Sequence, residues 1–241
     1  MLFLLPTPIG NLGDLSSRVI EVLSTCQLLI AEDTRRGEQL LTHLKIRKKI
    51  VSFQEHNEDQ RLPWLLKELH KGNKVALITD AGTPSISDPG YRLVRACVEE
   101  KIPYTVLPGP SALTTALVGS GLPPVPFYFG GFLPNQKSKR QAEIRAAMQR
   151  GSTSIYFESP HRLLSSLKDF IELSSTIYLC VARELSKKFE EYVHGSPEEV
   201  WEYFSKKGVK GEITLVLHPD PTWPKKRTLH SEKRPILRNF V

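Results

Sequence analysis

The first half of the chain alternates short apolar runs with segments whose apolar residues recur at helical spacing. Short runs bounded by turn residues predict buried strands, and apolar residues three or four apart predict amphipathic helices. Leu62, Leu65, Leu66 and Leu69 mark one such helix, and Gly72 would close it. The alternation predicts an α/β lobe with a mostly parallel sheet. The predicted strands are 3–5, 27–31, 50–53, 75–79 and 104–107.

A cluster of glycine and proline at 119–126 interrupts this pattern and is typical of a linker between two lobes. After it, apolar runs and amphipathic segments alternate again, and we expect a second α/β lobe with a mixed sheet. The expected organisation is an N-terminal lobe at 1–118, a C-terminal lobe at 119–218 and a flexible tail at 219–241. The predicted strands are 127–130, 154–157, 177–183, 191–194 and 212–218, and the predicted helices are 138–149, 161–173 and 197–206.

The composition is that of a soluble globular enzyme, since 40% of the 241 residues are hydrophobic and 24% are charged. The three cysteines lie far apart in apolar stretches, which indicates buried free thiols. No apolar run approaches the ~20 residues that a membrane-spanning helix needs. Pro6 ends the first apolar run well short of a secretory signal. We therefore expect a cytoplasmic protein that contacts no membrane.

The formal charge of +7 is concentrated at the C-terminus. Residues 219–241 contain six Lys or Arg and two acidic residues, a net charge of +4, so the rest of the chain carries only +3. A basic tail can bind a polyanion such as RNA, and it can equally be a solvated terminus. The sequence leaves both interpretations open.

Three loops combine proline with glycine or alanine directly after predicted strands, at 6–12, 79–84 and 108–113. Proline fixes the backbone, whereas glycine lets main-chain groups approach a ligand closely. Because open parallel sheets bind ligands beyond the carboxyl ends of their strands, these loops predict a binding site. Each loop alone could also be a tight turn or a helix cap.

Several common motifs are missing from the sequence. It has no GxGxxG after a strand and no GxxxxGK[ST], which would cradle the phosphates of a dinucleotide or a triphosphate. It also has no HExxH and no close cluster of Cys and His, so we expect no metal site. Loops lined by backbone favour an uncharged nucleoside such as adenosine.

Eight stretches, taken together and in order, resemble the branch of the tetrapyrrole-methylase superfamily that methylates the 2′-hydroxyl of a cytidine in 16S ribosomal RNA. The resemblance covers residues 1 to about 218. The stretches are PTPIGNLGDLSSR (6–18), AEDTRR (31–36), EHNE (55–58), TDAGTPSISDPG (79–90), PGPSALTTAL (108–117), YFESPHR (156–162), ARELSK (182–187) and GEITLV (211–216).

This resemblance implies a two-lobed tetrapyrrole-methylase fold, a homodimer, and S-adenosyl-L-methionine as the cofactor. The substrate would be 16S rRNA in the small ribosomal subunit. Carried over residue by residue, the cofactor contacts are Ile9, Gly10, Asp80, Thr83, Ser111, Ala112, Phe157 and Ala182. For Asp80, the alternative is a carboxylate that caps the following turn.

The resemblance also implies residues that face the RNA. Expected substrate contacts are Arg35, Asn57, Arg162 and Lys187, of which the cations would pair with phosphates. Expected acceptors of the ribose hydroxyl proton are Asp33, His56 and Glu158. For each of these residues, an exposed ion pair or a helix cap is the alternative.

Two other classes of function remain open from sequence alone. One is a methyltransferase of the same superfamily that acts on a small molecule or a protein, and the other is a non-catalytic RNA-binding module. The AEDTRR and EHNE stretches favour the RNA-methylating branch over the first. The complete set of cofactor loops favours an enzyme over the second. Many relatives also continue into a small helical domain, whereas this sequence ends in a basic segment, which leaves the route of RNA docking open.

Overall fold

The computed structural model describes residues 1–173 and 176–219 of the chain. The chain divides into two compact units, of which the first is Met1–Ser111 and the second begins at Ala112. The basic tail predicted at 219–241 lies, apart from residue 219, outside the described residues.

The sheet of the first unit consists of β1 (Leu2–Leu4), β2 (Leu28–Ala31), β3 (Ile50–Ser52), β4 (Val75–Ile78) and β5 (Tyr104–Val106). Its spatial order is β3-β2-β4-β1-β5, and every neighbouring pair is parallel. The register places Leu2 opposite both Val75 and Tyr104. Because all five strands run in one direction, the loops that follow them lie at a single edge of the sheet.

Helices cover both faces of this sheet because alternate strand residues point to opposite sides. The helices are α1 (Ser17–Thr25), α2 (Thr34–His43), α3 (Glu58–His70) and α4 (Tyr91–Glu99). Val75 and Leu77 of β4 pack in a core with α3 and α4. Ala76 and Ile78 of the same strand pack in a second core with α1 and α2. The Ser16 hydroxyl caps α1, accepting a hydrogen bond from the Val19 amide.

The sheet of the second unit consists of β6 (Phe127–Phe132), β7 (Thr153–Glu158), β8 (Tyr178–Arg183), β9 (Glu191–Gly195) and β10 (Ile213–His218). Its order is β6-β7-β10-β8-β9. The β6–β7 pair is parallel and the other pairs are antiparallel. The helices of this unit are α5 (Ala112–Gly119), α6 (Lys137–Arg150), α7 (Leu163–Leu173) and α8 (Pro197–Lys207).

One face of the second sheet carries the core of its unit. Tyr156, Val181 and Leu215 lie on neighbouring strands and pack with Phe170 of α7 and Phe204 of α8. Helix α5 packs against β10. Gly119 of α5 lies so close to a neighbouring ring that a Cβ there would collide with it. The predicted boundary at residue 118 assigned this helix to the first lobe, whereas the compact units divide seven residues earlier.

The predicted fold class is confirmed, with an all-parallel sheet in the first unit and a mixed sheet in the second. Each of the ten predicted strands overlaps a strand of the structure. Helix α7 begins at Leu163 rather than at the predicted residue 161. The delay arises because Ser159 first forms a turn, in which its hydroxyl accepts a hydrogen bond from the His161 amide. None of the helices in the described ranges has the length and apolarity required to span a bilayer.

A buried ion pair joins two helices of the second unit, α6 and α7. The Arg140 guanidinium contacts the Asp169 carboxylate at 2.6 Å, and the two side chains are only 6% and 2% exposed. We predict that Asp169→Ala lowers the free energy of unfolding by about 3–5 kcal/mol, because it leaves the buried Arg140 guanidinium without its carboxylate partner. Chemical denaturation measures this change. The exposed pair Glu202–Lys206 supplies the control, since Glu202→Ala should have little effect.

Candidate functional site

The loops that follow β1 and β4 are joined directly at the carboxyl edge of the first sheet. The Thr7 amide donates to the Gly82 carbonyl and the Gly82 amide donates to the Thr7 carbonyl, both at 2.9 Å. The Thr7 hydroxyl also donates to the Thr79 carbonyl at 3.0 Å. These three bonds fix the two loops as one unit beside the strand ends.

The loop that follows β5 packs against the other two. The Thr83 hydroxyl donates to the Pro110 carbonyl at 3.2 Å. A Cβ at Gly109 would collide with the Pro6 ring, so only glycine permits this approach. Gly82 has a φ of 82°, which also favours glycine. The three loops predicted to form one site therefore do converge in the structure.

Asp80 lies at the end of β4, among groups from α2 and the loop that precedes it. Its carboxylate accepts a hydrogen bond from the Asp33 amide at 3.2 Å. It also lies 3.4 Å from Nε of Arg36. The Asp80 amide donates to the Glu32 carboxylate at 3.5 Å. The Asp80 carboxylate thus connects β4 to α2 rather than capping its own turn.

Three carboxylates crowd this edge of the sheet. Burial, followed by the charge of Asp80, raises the pKa of Glu32. Burial also raises the pKa of Asp88 to about 7, with additional contributions from the charges of Glu32 and Asp80. Within the described ranges, no cluster of His, Cys, Asp and Glu is arranged to hold a metal ion. The carboxylates at this edge therefore repel one another, which favours protonation of Glu32 and Asp88, whereas Asp80 is paired with Arg36.

A pocket of about 480 Å³ opens between the first loop and α2. Its size is within the range typical of small-ligand sites. Its lining combines polar and apolar side chains, and one face of α2 contributes to it along two turns. It is lined by Thr7, Pro8, Leu12, Arg36, Gly37, Gln39, Leu40, His43, Ile78, Thr79 and Asp80.

Among the predicted cofactor contacts of the first unit, Ile9 is buried and Gly10 is exposed. Ile9 lies beside Gly82, where a Cβ would approach its side chain at 3.6 Å. Thr83 and Ser111 belong to the second and third loops. The structure therefore places these predicted residues on loops that are in contact with one another.

The predicted substrate residues of the first unit occupy two separate places. Asp33 caps α2 and binds Arg35, whose guanidinium donates to it at 2.7 and 3.1 Å. The bond to Arg35 lowers the pKa of Asp33 to about 2. His56 is exposed on the loop after β3. The Asn57 side chain is engaged within that loop, accepting from the Gln54 amide and donating to a serine hydroxyl.

In the second unit, Phe157 and Ala182 share one row of the sheet. Both lie opposite Thr214 of the intervening strand β10, so their side chains point to the same face. The Phe157 ring packs edge-on against Phe129 at 5.0 Å between centroids. Ala112 lies at the start of α5. The structure brings together two of the three cofactor contacts predicted in this unit.

Glu158 and Arg162, predicted to act on the substrate, bind each other at 2.6 Å. The Glu158 carboxylate is fully buried and also accepts hydrogen bonds from the Ser159 amide and the Ser166 hydroxyl. Arg162 donates to the Leu133 carbonyl at 3.1 Å. These contacts anchor the start of α7, which is a structural role.

Lys187 forms two ion pairs, each at 3.0 Å, with Glu184 and Glu212. Its side chain is about one-quarter exposed. These pairs close the turn between β8 and β9 against the segment that precedes β10. A phosphate that used Lys187 would have to compete with both carboxylates.

Sequence reasoning missed several residues of this site. Arg36, Gln39 and His43 line the pocket but were not among the predicted site residues. The signal was present, because they lie on one face of α2 at helical spacing. Asp88 was also missed, because its neighbourhood depends on residues far away in the chain.

The chain belongs to the tetrapyrrole (corrin/porphyrin) methylases, whose family model matches residues 1–200. It is 43% identical to "Ribosomal RNA small subunit methyltransferase I" of Thermotoga maritima, over 90% of this chain and 97% of the relative. Identity to the protein of the same name in Escherichia coli O157:H7 is also 43%, over 90% of this chain and 77% of that protein. The family resemblance inferred from sequence is confirmed.

Solved structures of the same fold are more distant in sequence. The uroporphyrin-III-C-methyltransferase of Thermus thermophilus has a TM-score of 0.60 at 18% identity, covering 90% of this chain and 94% of its own. Diphthine synthase has a TM-score of 0.69 at 14% identity, covering 90% and 89%. At these identities the likeness establishes the fold alone.

The raised pKa of Asp88 predicts a pH-dependent loss of stability. Asp88 shifts from an ordinary value of 3.8 to about 7, so between these values the folded chain binds a proton that the unfolded chain has released. The contribution of Asp88 to stability therefore falls as the pH rises from about 4 to 7. We expect Asp88→Asn to raise stability relative to the unmodified chain at pH 8, and much less at pH 4.

Denaturant titrations at the two pH values test this expectation. Glu21→Gln is the control, because Glu21 is an exposed carboxylate on α1. An equal effect of Asp88→Asn at both pH values would contradict a shifted titration of this group.

Proposed function

We propose that this chain uses S-adenosyl-L-methionine to methylate the 2′-hydroxyl of a cytidine ribose in 16S rRNA of the small ribosomal subunit. The observation that carries the proposal is the convergence of three backbone-rich loops at one sheet edge, in a member of this methylase family. The names of its relatives support RNA as the substrate class. The choice of cytidine and of the 2′-oxygen rests on the resemblance of the eight stretches, and AEDTRR and EHNE favour the RNA-methylating branch.

The residues at this edge fit the proposed cofactor. The three loops contain no Lys, Arg or His and a single charged residue, Asp80. A cationic sulfonium compound with an uncharged nucleoside suits such a lining, whereas a triphosphate does not. The proposed contacts in the first unit are Ile9, Gly10, Asp80, Thr83 and Ser111.

The second unit would supply the remaining contacts of the cofactor. We assign these to Ala112, Phe157 and Ala182. Phe157 offers a partly exposed aromatic ring, and Ala182 is a small, buried residue in the same row of the sheet. An aromatic ring and a small residue suit contact with a flat, uncharged base.

The proposed reaction forms a bond between the ribose 2′-oxygen and a methyl carbon while the bond from that carbon to sulfur breaks. The bound cofactor supplies a methyl group that is already activated by the sulfonium. The protein therefore contributes mainly by holding the 2′-oxygen in line, and proton removal is secondary. The hydroxyl proton passes to a nearby acceptor, for which we proposed Asp33, His56 and Glu158.

The three proposed proton acceptors differ in suitability. Glu158 is the least suited, since it is fully buried and engaged by Arg162 and two other donors. Asp33 is reachable, but its pKa of about 2 makes it a weak base. His56 is exposed on its loop, so a ribose hydroxyl can reach its imidazole.

The four proposed RNA contacts differ in how strongly other residues of the protein already bind their side chains. The Arg35 side chain is 85% exposed and can reach a phosphate while it remains near Asp33. Arg162 and Lys187 are already paired with carboxylates, and Asn57 is engaged within its loop. We therefore rank Arg35 first among the four. Outside its tail the chain carries only a modest net charge, which favours recognition of the RNA by its shape in the assembled subunit. We propose that the protein works in the cytoplasm, where ribosomal subunits are present.

Loss of the gene should remove one 2′-O-methylcytidine from 16S rRNA. Mass spectrometry of rRNA nucleosides from cells with and without the gene measures this change. Re-expression of the unmodified chain should restore the nucleoside, and Glu38→Ala should do the same because Glu38 is exposed on α2. An unchanged nucleoside profile after deletion would contradict the proposed substrate.

Calorimetry tests the cofactor separately. The purified chain should bind S-adenosylhomocysteine and show no comparable affinity for ATP or NADP. Asp80→Ala should weaken that binding by about 1–3 kcal/mol if the carboxylate satisfies donors at the site. Tight ATP binding without any response to S-adenosylhomocysteine would remove the proposal.

We also propose a homodimer in which residues 122–133 supply part of the contact. Val125 is 81% exposed, and Phe127 and Phe132 are 44% and 58% exposed, which is unusual for apolar side chains close together in sequence. Light scattering should give twice the 27.3 kDa mass of one chain. Val125→Asp with Phe132→Asp should yield a monomer, whereas Phe189→Asp, at an exposed ring elsewhere, should not.

A further inference from the structure

We propose that the pocket between the first loop and α2 receives the target nucleotide, with Arg36 at its phosphate and with Gln39 and His43 at its base. This inference rests on the proposed methylation of rRNA, and it names the residues that would position the acceptor. None of the three was predicted from the sequence to touch the substrate.

The order of the strands separates this pocket from the contact between the second and third loops. Along the sheet, the strand ends follow one another as β2, β4, β1 and β5. The second and third loops meet on the β5 side, where Thr83 binds the Pro110 carbonyl. The pocket lies on the β2 side, and no residue of the third loop lines it. A methyl donor on one side and an acceptor on the other would both border Asp80.

One face of α2 lines the pocket with side chains that can contact a nucleotide. Arg36, Gln39, Leu40 and His43 are spaced i, i+3, i+4 and i+7, so they share one face of the helix. Arg36 lies beside Asp80, and His43 lies two turns further, about 10 Å along the axis. That separation is comparable to the length of a nucleotide. The ribose and its phosphate would therefore lie near Asp80, with the base towards His43.

The lining matches a nucleoside in chemistry as well as in length. Leu12, Leu40 and Pro8 supply apolar surface for the faces of a base. The Gln39 carboxamide and the His43 imidazole offer donors and acceptors for its hydrogen-bonding edge. Single-stranded RNA bases are commonly recognised in this combination of packing and edge contacts.

Arg36 is available to a phosphate despite its contact with Asp80. The contact is a single one at 3.4 Å, and the Arg36 side chain is 56% exposed, so it is weak. A phosphate can accept two parallel bonds from a guanidinium, which is a stronger arrangement. If the Arg36 guanidinium exchanged Asp80 for the phosphate next to the reacting ribose, the Asp80 carboxylate would be left facing the 2′-hydroxyl.

The test compares Arg36→Gln, Gln39→Ala and His43→Ala with Thr42→Ala, a control on the exposed face of the same helix. The substrate is the small ribosomal subunit from cells that lack the gene. Each pocket variant should raise KM for the subunit by roughly tenfold, as loss of one polar contact predicts, and leave the affinity for S-adenosylhomocysteine within about twofold. Thr42→Ala should change neither quantity.

A salt titration of subunit binding adds a readout that a purely structural role would not change. Arg36→Gln should lower the slope of log affinity against log salt concentration by about 0.7, the value for one lost phosphate contact to a single strand. Gln39→Ala and His43→Ala should weaken binding without changing the slope.

Two results would overturn the inference. If the pocket variants weaken S-adenosylhomocysteine binding and leave KM unchanged, the pocket belongs to the cofactor. If they change neither quantity, the pocket has no part in substrate binding. Failure of the proposed function is a different result, in which the unmodified chain transfers no methyl group to RNA. Filter-binding affinities of the variants for the subunit then still decide whether the pocket contacts RNA.

Discussion

The central position of β1 is the constraint on which the site depends. β1 is hydrogen-bonded in parallel to β4 on one side and to β5 on the other, so three chain segments leave the sheet side by side. Parallel strands force these segments into a shared space, where they must satisfy one another's backbone groups. The paired amides of Thr7 and Gly82 do so, and Gly109 allows the third segment to lie against Pro6. A side chain at position 109 would collide with the Pro6 ring and separate the third loop from the first.

The same crowding has an electrostatic cost. Glu32 follows β2, whereas Asp80 and Asp88 both lie in the segment after β4, and the three carboxylates meet at one edge of the sheet. Arg36 and the Asp33 amide, which both contact Asp80, offset part of this charge. Burial and the uncompensated repulsion among the carboxylates raise the pKa values of Glu32 and Asp88. A cationic ligand bound here would relieve the repulsion, which agrees with a sulfonium cofactor.

Most of the fold could be predicted because its strands are short apolar runs bounded by turn residues. All ten were located, including β9 (Glu191–Gly195), whose sequence is only partly apolar. The position of α5 was harder to predict. Its sequence is apolar on all sides, so periodicity could not indicate that it packs against β10, nearly a hundred residues later. The glycines and prolines at 119–126 mark a break in local pattern rather than the division between compact units.

The candidate site was predictable only in part, because a motif does not distinguish a group that binds a ligand from one that holds the motif together. Glu158 and Arg162 come from one stretch, YFESPHR, and they bind each other. Asn57 is likewise engaged within its own loop. The sequence shows which polar residues lie near strand ends. Whether such a residue binds a ligand or another residue of the protein depends on the side chains that folding brings beside it.

Arg35 and Arg36 illustrate how far helical geometry can replace that missing information. Successive residues of a helix point about 100° apart, so the side chains of two adjacent arginines leave it in different directions. Asp33 caps α2 and binds Arg35 on the solvent side, which directs Arg36 towards Asp80 and the pocket. Once the cap fixes the start of the helix, the phase of every later residue follows, and Leu40 and Leu41 identify the buried side. The face that carries Arg36, Gln39 and His43 is therefore determined by the cap and the core, before any ligand is considered.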